Sequence, residues 1–160
     1  YRILMSRILP VGFDSCDTEW LKTIPTRKGR NSAYPNAFFN SIKLESMGTR
    51  STPRGEIVRI TISNQNDSQP LEVGGEFPVF ISWRWIDGTG NPLSGWNYRV
   101  SLPFDIPAHQ SLTQDILIGS PSNPIKSPHL ELSLVHEHQA WAHDLGLRTL
   151  RIHFAKTSTF

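Results

Sequence analysis

The chain has 160 residues, with 16 lysines and arginines against 14 aspartates and glutamates, and 38% of it is apolar. That composition suits one soluble domain of ordinary size, alone or with a short helical attachment, and no apolar run approaches the length of a membrane span. Residues 1–54 hold nine basic and four acidic side chains and residues 55–160 hold seven and ten; the basic excess is scattered over a helical surface and the linker around Arg27, Lys28 and Arg30, without the interleaved aromatics that single-stranded nucleic acid requires, so no nucleic-acid partner is expected.

The opening YRILMSRILP lacks a long apolar core followed by a small-residue cleavage site, so it does not read as a secretory signal. A first residue of Tyr suggests a piece excised from a longer protein. Tyr1, Leu4, Met5 and Ile8 recur at helical spacing, and Pro10 and Gly12 end that pattern. Asp14 or Ser15 then caps a second helix in SCDTEWLKTIP, with Trp20, Leu21 and Ile24 on its buried edge and Pro25 as its stop. The lone cysteine, Cys16, leaves no partner for an intrachain disulfide and no cysteine-based zinc site. With no signal and no disulfide, a cytoplasmic location is expected. TRKGRNSA reads as a loop, and a third helix is expected from Pro35 onward, carrying Phe38, Phe39 and Ile42. Three such short helices bury little by themselves, so residues 1–50 are expected to be a helical segment packed on another element.

After Gly48–Pro53 the period becomes two. EIVRITISN sets Val58, Ile60 and Ile62 against Arg59 and Thr61, the pattern of a half-buried strand. FPVFISWRWID places Val79, Ile81, Trp83 and Trp85 on one face, and DGTGN follows as a hairpin signal. NYRVSLP continues the pattern, SLTQDILIG turns Leu112, Ile116 and Ile118 inward, and HLELSLVHE does the same with Leu130, Leu132 and Leu134. RTLRIHF closes with Leu150, Ile152 and Phe154. Short strands separated by Pro, Gly and Asn turns predict a mainly β domain over 55–160: an antiparallel immunoglobulin-like β-sandwich of about seven strands, preceded by the short N-terminal helical segment.

The order of these signals also resembles a known module. ITISNQNDSQPL, VFISWRWIDGTGNPLSGWNYRVSLPFDIPAHQSL and LELSLVHEHQAWAHDLG are similar to a bacterial immunoglobulin-like β-sandwich. That sandwich is appended to glycosyltransferases, sugar-linked methyltransferases and polysaccharide ABC-transporter proteins. The resemblance rests on Asn64, Trp85, Asp87, Gly90, Leu134, Val135, Glu137 and Trp141. YRILMSRILP, Trp20 and AFFNSIKLE are similar to a helical domain of unknown function that precedes such modules, with Met5-Ser6-Arg7 where its usual Leu-Gly-Arg turn would be. The resemblance implies an accessory role in glycan assembly beside other domains of a parent protein.

Chemistry-bearing residues divide between core and loops. Trp83 and Trp85 share a face with Ile81 and are expected to pack between sheets. Asp87 is expected to shape the hairpin turn. Trp96, Tyr98 and Trp141 either cap one end of the sandwich or present rings to the apolar CH faces of a sugar. Beside them Arg99 or Asn97 would hydrogen-bond sugar hydroxyls, and His138 and His143 lie close in sequence. His136 and His138 are two apart, which on a strand puts both on one face. That spacing would hold a metal if a third ligand joined, but no metal-enzyme helix motif accompanies them, so neither metal nor cofactor is expected.

A nucleophile elbow, a phosphate loop and a dinucleotide fingerprint are all absent from the sequence. A noncatalytic glycan-binding or glycan-positioning module is therefore expected, taking a bacterial glycan or glycosylated lipid. Trp96, Tyr98, Arg99, His138, Trp141 and His143 form its expected ligand set. The segments 87–97 and 136–146 should border the site, since loops are freer than sandwich faces to carry function. The alternative is a structural protein–protein interaction domain that docks an enzyme or larger assembly through a sheet edge or the Tyr1/Leu4/Met5/Ile8 face.

Overall fold

A computed structural model describes residues 32–119 and 129–154 of the chain. The helices expected over YRILMSRILP and SCDTEWLKTIP lie outside the described residues. The helix expected from Pro35 does not form. Phe38–Ser41 make a single 3-10 turn, with the Asn40 N–H on the Ala37 carbonyl at 3.2 Å and the Ile42 N–H on the Phe39 carbonyl. At Ile42 the backbone is already extended. The physical reason is the alternation of Ile42 and Leu44 with Lys43 and Glu45, which buries the first pair and exposes the second. One turn also suffices to bury the adjacent Phe38 and Phe39 rings, which lie edge to face at 5.3 Å.

Eight strands follow among the described residues, against about seven expected. They are β1 (Ile42–Thr52), β2 (Gly55–Asn64), β3 (Val79–Ile86), β4 (Val100–Ser101), β5 (Gln110–Ile118), β6 (His129–His136), β7 (Ala140–Trp141) and β8 (Leu150–His153). All pairings are antiparallel. One sheet runs β1-β2-β5; the other runs β4-β3-β6-β7, with β8 also pairing β6. Two strands lie outside the expected runs: β1, which occupies residues assigned to helix and turn, and β7, which falls within the segment 136–146 read as loop. NYRVSLP contributes only the two residues of β4. Pro103, which has no N–H to give a ladder, follows closely.

The inward sets expected from the alternation meet in one apolar core. Val58, Ile60 and Ile62 of β2, with Ile116 and Ile118 of β5, join Ile81, Trp83 and Trp85 of β3 and Leu130, Leu132 and Leu134 of β6. Leu112, Leu150 and Phe154 sit at its margin, partly buried. Asn64, which ends β2, is buried. Its amide donates to the carbonyls of Gln69 and Ile106 at 2.9 Å each, so it ties three chain segments together. No described helix is long and apolar enough to cross a membrane.

Candidate functional site

The loop between β3 and β4 is organised by Asp87. Its carboxylate accepts from the Thr89 and Asn91 backbone N–H groups at 2.8 and 2.9 Å, and from the Thr89 hydroxyl at 2.6 Å. Those bonds, the Thr89 hydroxyl foremost, hold its pKa well below the ordinary carboxylate range. Gly90 completes the turn at φ +94°, where a side chain would be strained. The chain then folds back along β3: the Leu93 N–H donates to the Trp85 carbonyl, and the Ser94 hydroxyl accepts from the Trp85 N–H. This return delivers Trp96 over Arg84, whose guanidinium carbon lies 4.7 Å from the indole centroid.

The second approach comes from the β6–β7 connection. His138 takes the turn at φ 59° and is exposed, so it does not share a strand face with His136. The strand ends at His136, which is buried with its ring against Tyr34 at 5.0 Å. The short strand β7 and a 3-10 turn over Ala142–Leu145 then present Trp141 and His143. Gly146 ends that turn at φ +100°, and a Cβ there would run into the Asn40 side chain.

Trp96, Trp141 and His143 meet on the outer face of the β3–β6 pair. Ring centroids are 5.4 Å apart for Trp96–Trp141, 5.0 Å for Trp96–His143 and 5.6 Å for Trp141–His143. Arg99 lies over the Trp141 ring at 4.9 Å and donates to the carboxylate of Glu137 at 2.8 Å. Its Nη1 reaches the carbonyls of Trp96 and Tyr98 and the Ser82 hydroxyl, which locks the guanidinium to the loop that carries it. Two arginines thus bracket three aromatic rings. Tyr98 turns elsewhere and stacks on Trp83 at 4.5 Å, nearly parallel.

Beneath this layer lies a charged foundation. Glu131, with its side chain 3% exposed, receives Arg84 at 2.7 Å, Arg151 at 3.1 Å and the Thr149 hydroxyl at 3.0 Å. Burial is the strongest single influence and would raise its pKa, yet the bonds from Arg84, Thr149 and Arg151 together hold it below the ordinary glutamate value. His143 is shifted downward: burial lowers its pKa, Arg84 adds to this, and Asp144 and Glu131 only partly offset them. Its Nδ1 is 2.8 Å from the Ser133 hydroxyl. Ser133 is fully buried, so this pair orients the ring and leaves the hydroxyl out of a substrate's reach.

Of the six residues anticipated, the structure gathers Trp96, Arg99, Trp141 and His143, and places Tyr98 and His138 apart. The segments 87–97 and 136–146 do meet, through Trp96 and the Trp141–His143 turn. Sequence reasoning missed Arg84, Glu131 and Ser133. Their signal was a charged or polar residue at alternate positions of two otherwise apolar strands, Trp-Arg-Trp in β3 and Leu-Glu-Leu-Ser-Leu in β6. In register, Arg84 faces Glu131 and Ser82 faces Ser133. Comparison with known protein families, with curated proteins and with solved structures finds no match to this chain.

Proposed function

We propose that this chain is a noncatalytic glycan-binding or glycan-positioning module of a bacterial polysaccharide-assembly protein, working in the cytoplasm. We read its two antiparallel sheets as an immunoglobulin-like sandwich. The observation that carries the reading is the outer-face layer of Trp96, Trp141 and His143 between Arg84 and Arg99. Aromatic rings beside guanidinium groups suit a sugar, whose CH face packs on a ring while its hydroxyls accept from arginine. The half-buried rings leave part of their surface for a ligand, and Arg99 remains in contact with solvent.

A titration with a panel of bacterial oligosaccharides, followed by the indole N–H resonances of Trp96 and Trp141, tests this. Saturable shifts at both indoles are expected from at least one sugar. No shift across the panel would overturn the reading. The docking alternative draws on β1, which among the described residues pairs only β2 and carries Met47 exposed at 64%. Resonances of β1 that change with protein concentration, without any response to sugars, would favour it.

A further inference from the structure

On the same sheet, at the far end of β6, two histidines stand opposite one another across the β6–β8 ladder. His129 pairs with His153 in register, and His129 Nε2 lies 3.1 Å from His153 Nδ1. The ring centroids are 4.5 Å apart at an interplanar angle of 47°. His153 is exposed and His129 half-buried, so the pair is open to solvent on one side. Neither ring belongs to the aromatic layer described above.

Two neutral imidazoles at this distance share one N–H···N hydrogen bond. The same spacing suits a common metal ligand. Two metal–nitrogen bonds of about 2.1 Å, at an angle between square and tetrahedral, hold their nitrogens about 3.0–3.4 Å apart. The observed 3.1 Å lies within that bite. Small side-chain rotations of two exposed-side rings would turn both lone pairs toward one point. We infer that His129 and His153 form a two-imidazole site for a transition-metal dication of the Ni2+, Cu2+ or Zn2+ class.

Nitrogen donors select these ions over Mg2+ and Ca2+, which need carboxylate and carbonyl oxygen. The neighbouring carboxylate, Glu131, is already committed to Arg84, Arg151 and Thr149. No group of three or more His, Cys, Asp or Glu that could hold a metal occurs among the described residues, so the site is argued from the two imidazoles alone. Arg151, two rungs away along β8, opposes the added charge, and its pairing with Glu131 tempers that repulsion. The metal would clasp the four-residue strand β8 to β6, one rung beyond Leu130–Ile152 and two beyond Glu131–Arg151. That brace does not depend on glycan binding.

Titration of the full chain with Ni2+, read by calorimetry and by thermal unfolding, tests the site. One saturable equivalent is expected, with a Tm that rises with Ni2+ concentration because the metal binds the folded state. His129→Ala and His153→Ala should each weaken binding at least about tenfold and abolish the Tm rise, since one imidazole alone remains. His109→Ala should leave both unchanged. Should a variant fold poorly, Zn2+ titration of the unaltered chain must shift the ring resonances of His129 and His153 before those of the other histidines. Binding that survives both substitutions, or Zn2+ shifts that begin at other histidines, would overturn the inference.

Discussion

On the outer face of the β1-β2-β5 sheet, polar side chains meet partners directly across the strands. Arg59 forks onto Asp115 at 2.7 and 2.9 Å, Thr61 meets Thr113 at 2.9 Å, and Ser63 meets Ser111 at 2.8 Å. Each rung is complete within two residues and open to water. The outer face of β3–β6 begins with similar rungs, Ser82 opposite Ser133 and Arg84 opposite Glu131. There the loops double back and lay Trp96, Trp141 and His143 over them. Cross-strand complementarity alone gives a solvated face; covered by aromatic rings from two loops, it becomes a half-buried site with fixed arginines. The two faces teach that the covering loops, not the strands, make one sheet different from the other.

The sharpest test of which side of β3 carries stability is Trp85→Ala. Trp85 faces inward at 5% exposure. Its truncation should cost about 3–5 kcal/mol, enough to unfold a marginal domain. Urea denaturation measures this directly. A loss near that of an outer-face substitution would mean that the core does not depend on this ring.

Next in size is Glu131→Gln against Asp115→Asn, one substitution on each outer face. The first keeps the shape of the side chain and leaves Arg84 and Arg151 without their buried counter-charge. A loss of about 2–3 kcal/mol is expected, below that for a fully enclosed pair because Arg151 reaches water. Asp115 and Arg59 are open to solvent, and although their hydrogen bonds lower the one pKa and raise the other, Asp115→Asn should leave Tm within error. Because the folded-state pKa of Glu131 is lowered, its stabilising contribution is complete above the ordinary glutamate range. It is lost as pH falls through the lowered value, so Glu131→Gln should also flatten the acid limb of the stability curve. Equal responses from the two substitutions would erase the distinction between the faces.

Trp96→Ala and Trp141→Ala probe the covering layer itself. Each should cost about 1–2 kcal/mol, since the rings are half-buried and each stacks with one arginine. Both should abolish the oligosaccharide response, whereas Tyr98→Ala, which acts on Trp83, should preserve it. A stability loss as large as that of Trp85→Ala would assign these rings to packing.

The inward faces were legible because alternation alone sets them: Val79, Ile81, Trp83 and Trp85 could not be buried in any other strand register. The region around Phe38 and Ile42 was not, since adjacent phenylalanines after a proline suit a helix start as well as a single turn. What decided for the turn was pairing of Ile42 with Asn64, a contact distant in sequence. In the site, the meeting of segments 87–97 and 136–146 could be anticipated from loop composition. Arg84 and Glu131 could not, because an outward charge on a strand looks the same whether water or an indole ring covers it. His138 was misplaced because spacing by two holds only within a strand, and β6 ends at His136.

The smallest expected effect separates a titrating imidazole from a merely stacked ring. Burial, chiefly, lowers the pKa of His143 in the folded chain below its unfolded value. The unfolded chain then takes up the proton first. Stability should therefore be complete above the ordinary histidine range and decline as pH falls through the lowered folded value. His143→Phe keeps a ring against Trp96 and Trp141 but removes the proton and the bond to Ser133. It should lower stability slightly at neutral pH and lose its share of the decline in that window, as read from urea midpoints over a pH series. No such window exists for the other sheet, whose outer pairs Arg59–Asp115, Thr61–Thr113 and Ser63–Ser111 contain no group that titrates near neutrality. If His143→Phe and the unaltered chain follow the same slope, the ring is protonated in the folded chain as readily as in the unfolded one. In that case the aromatic cover leaves it as open to water as the polar rungs of β2 and β5.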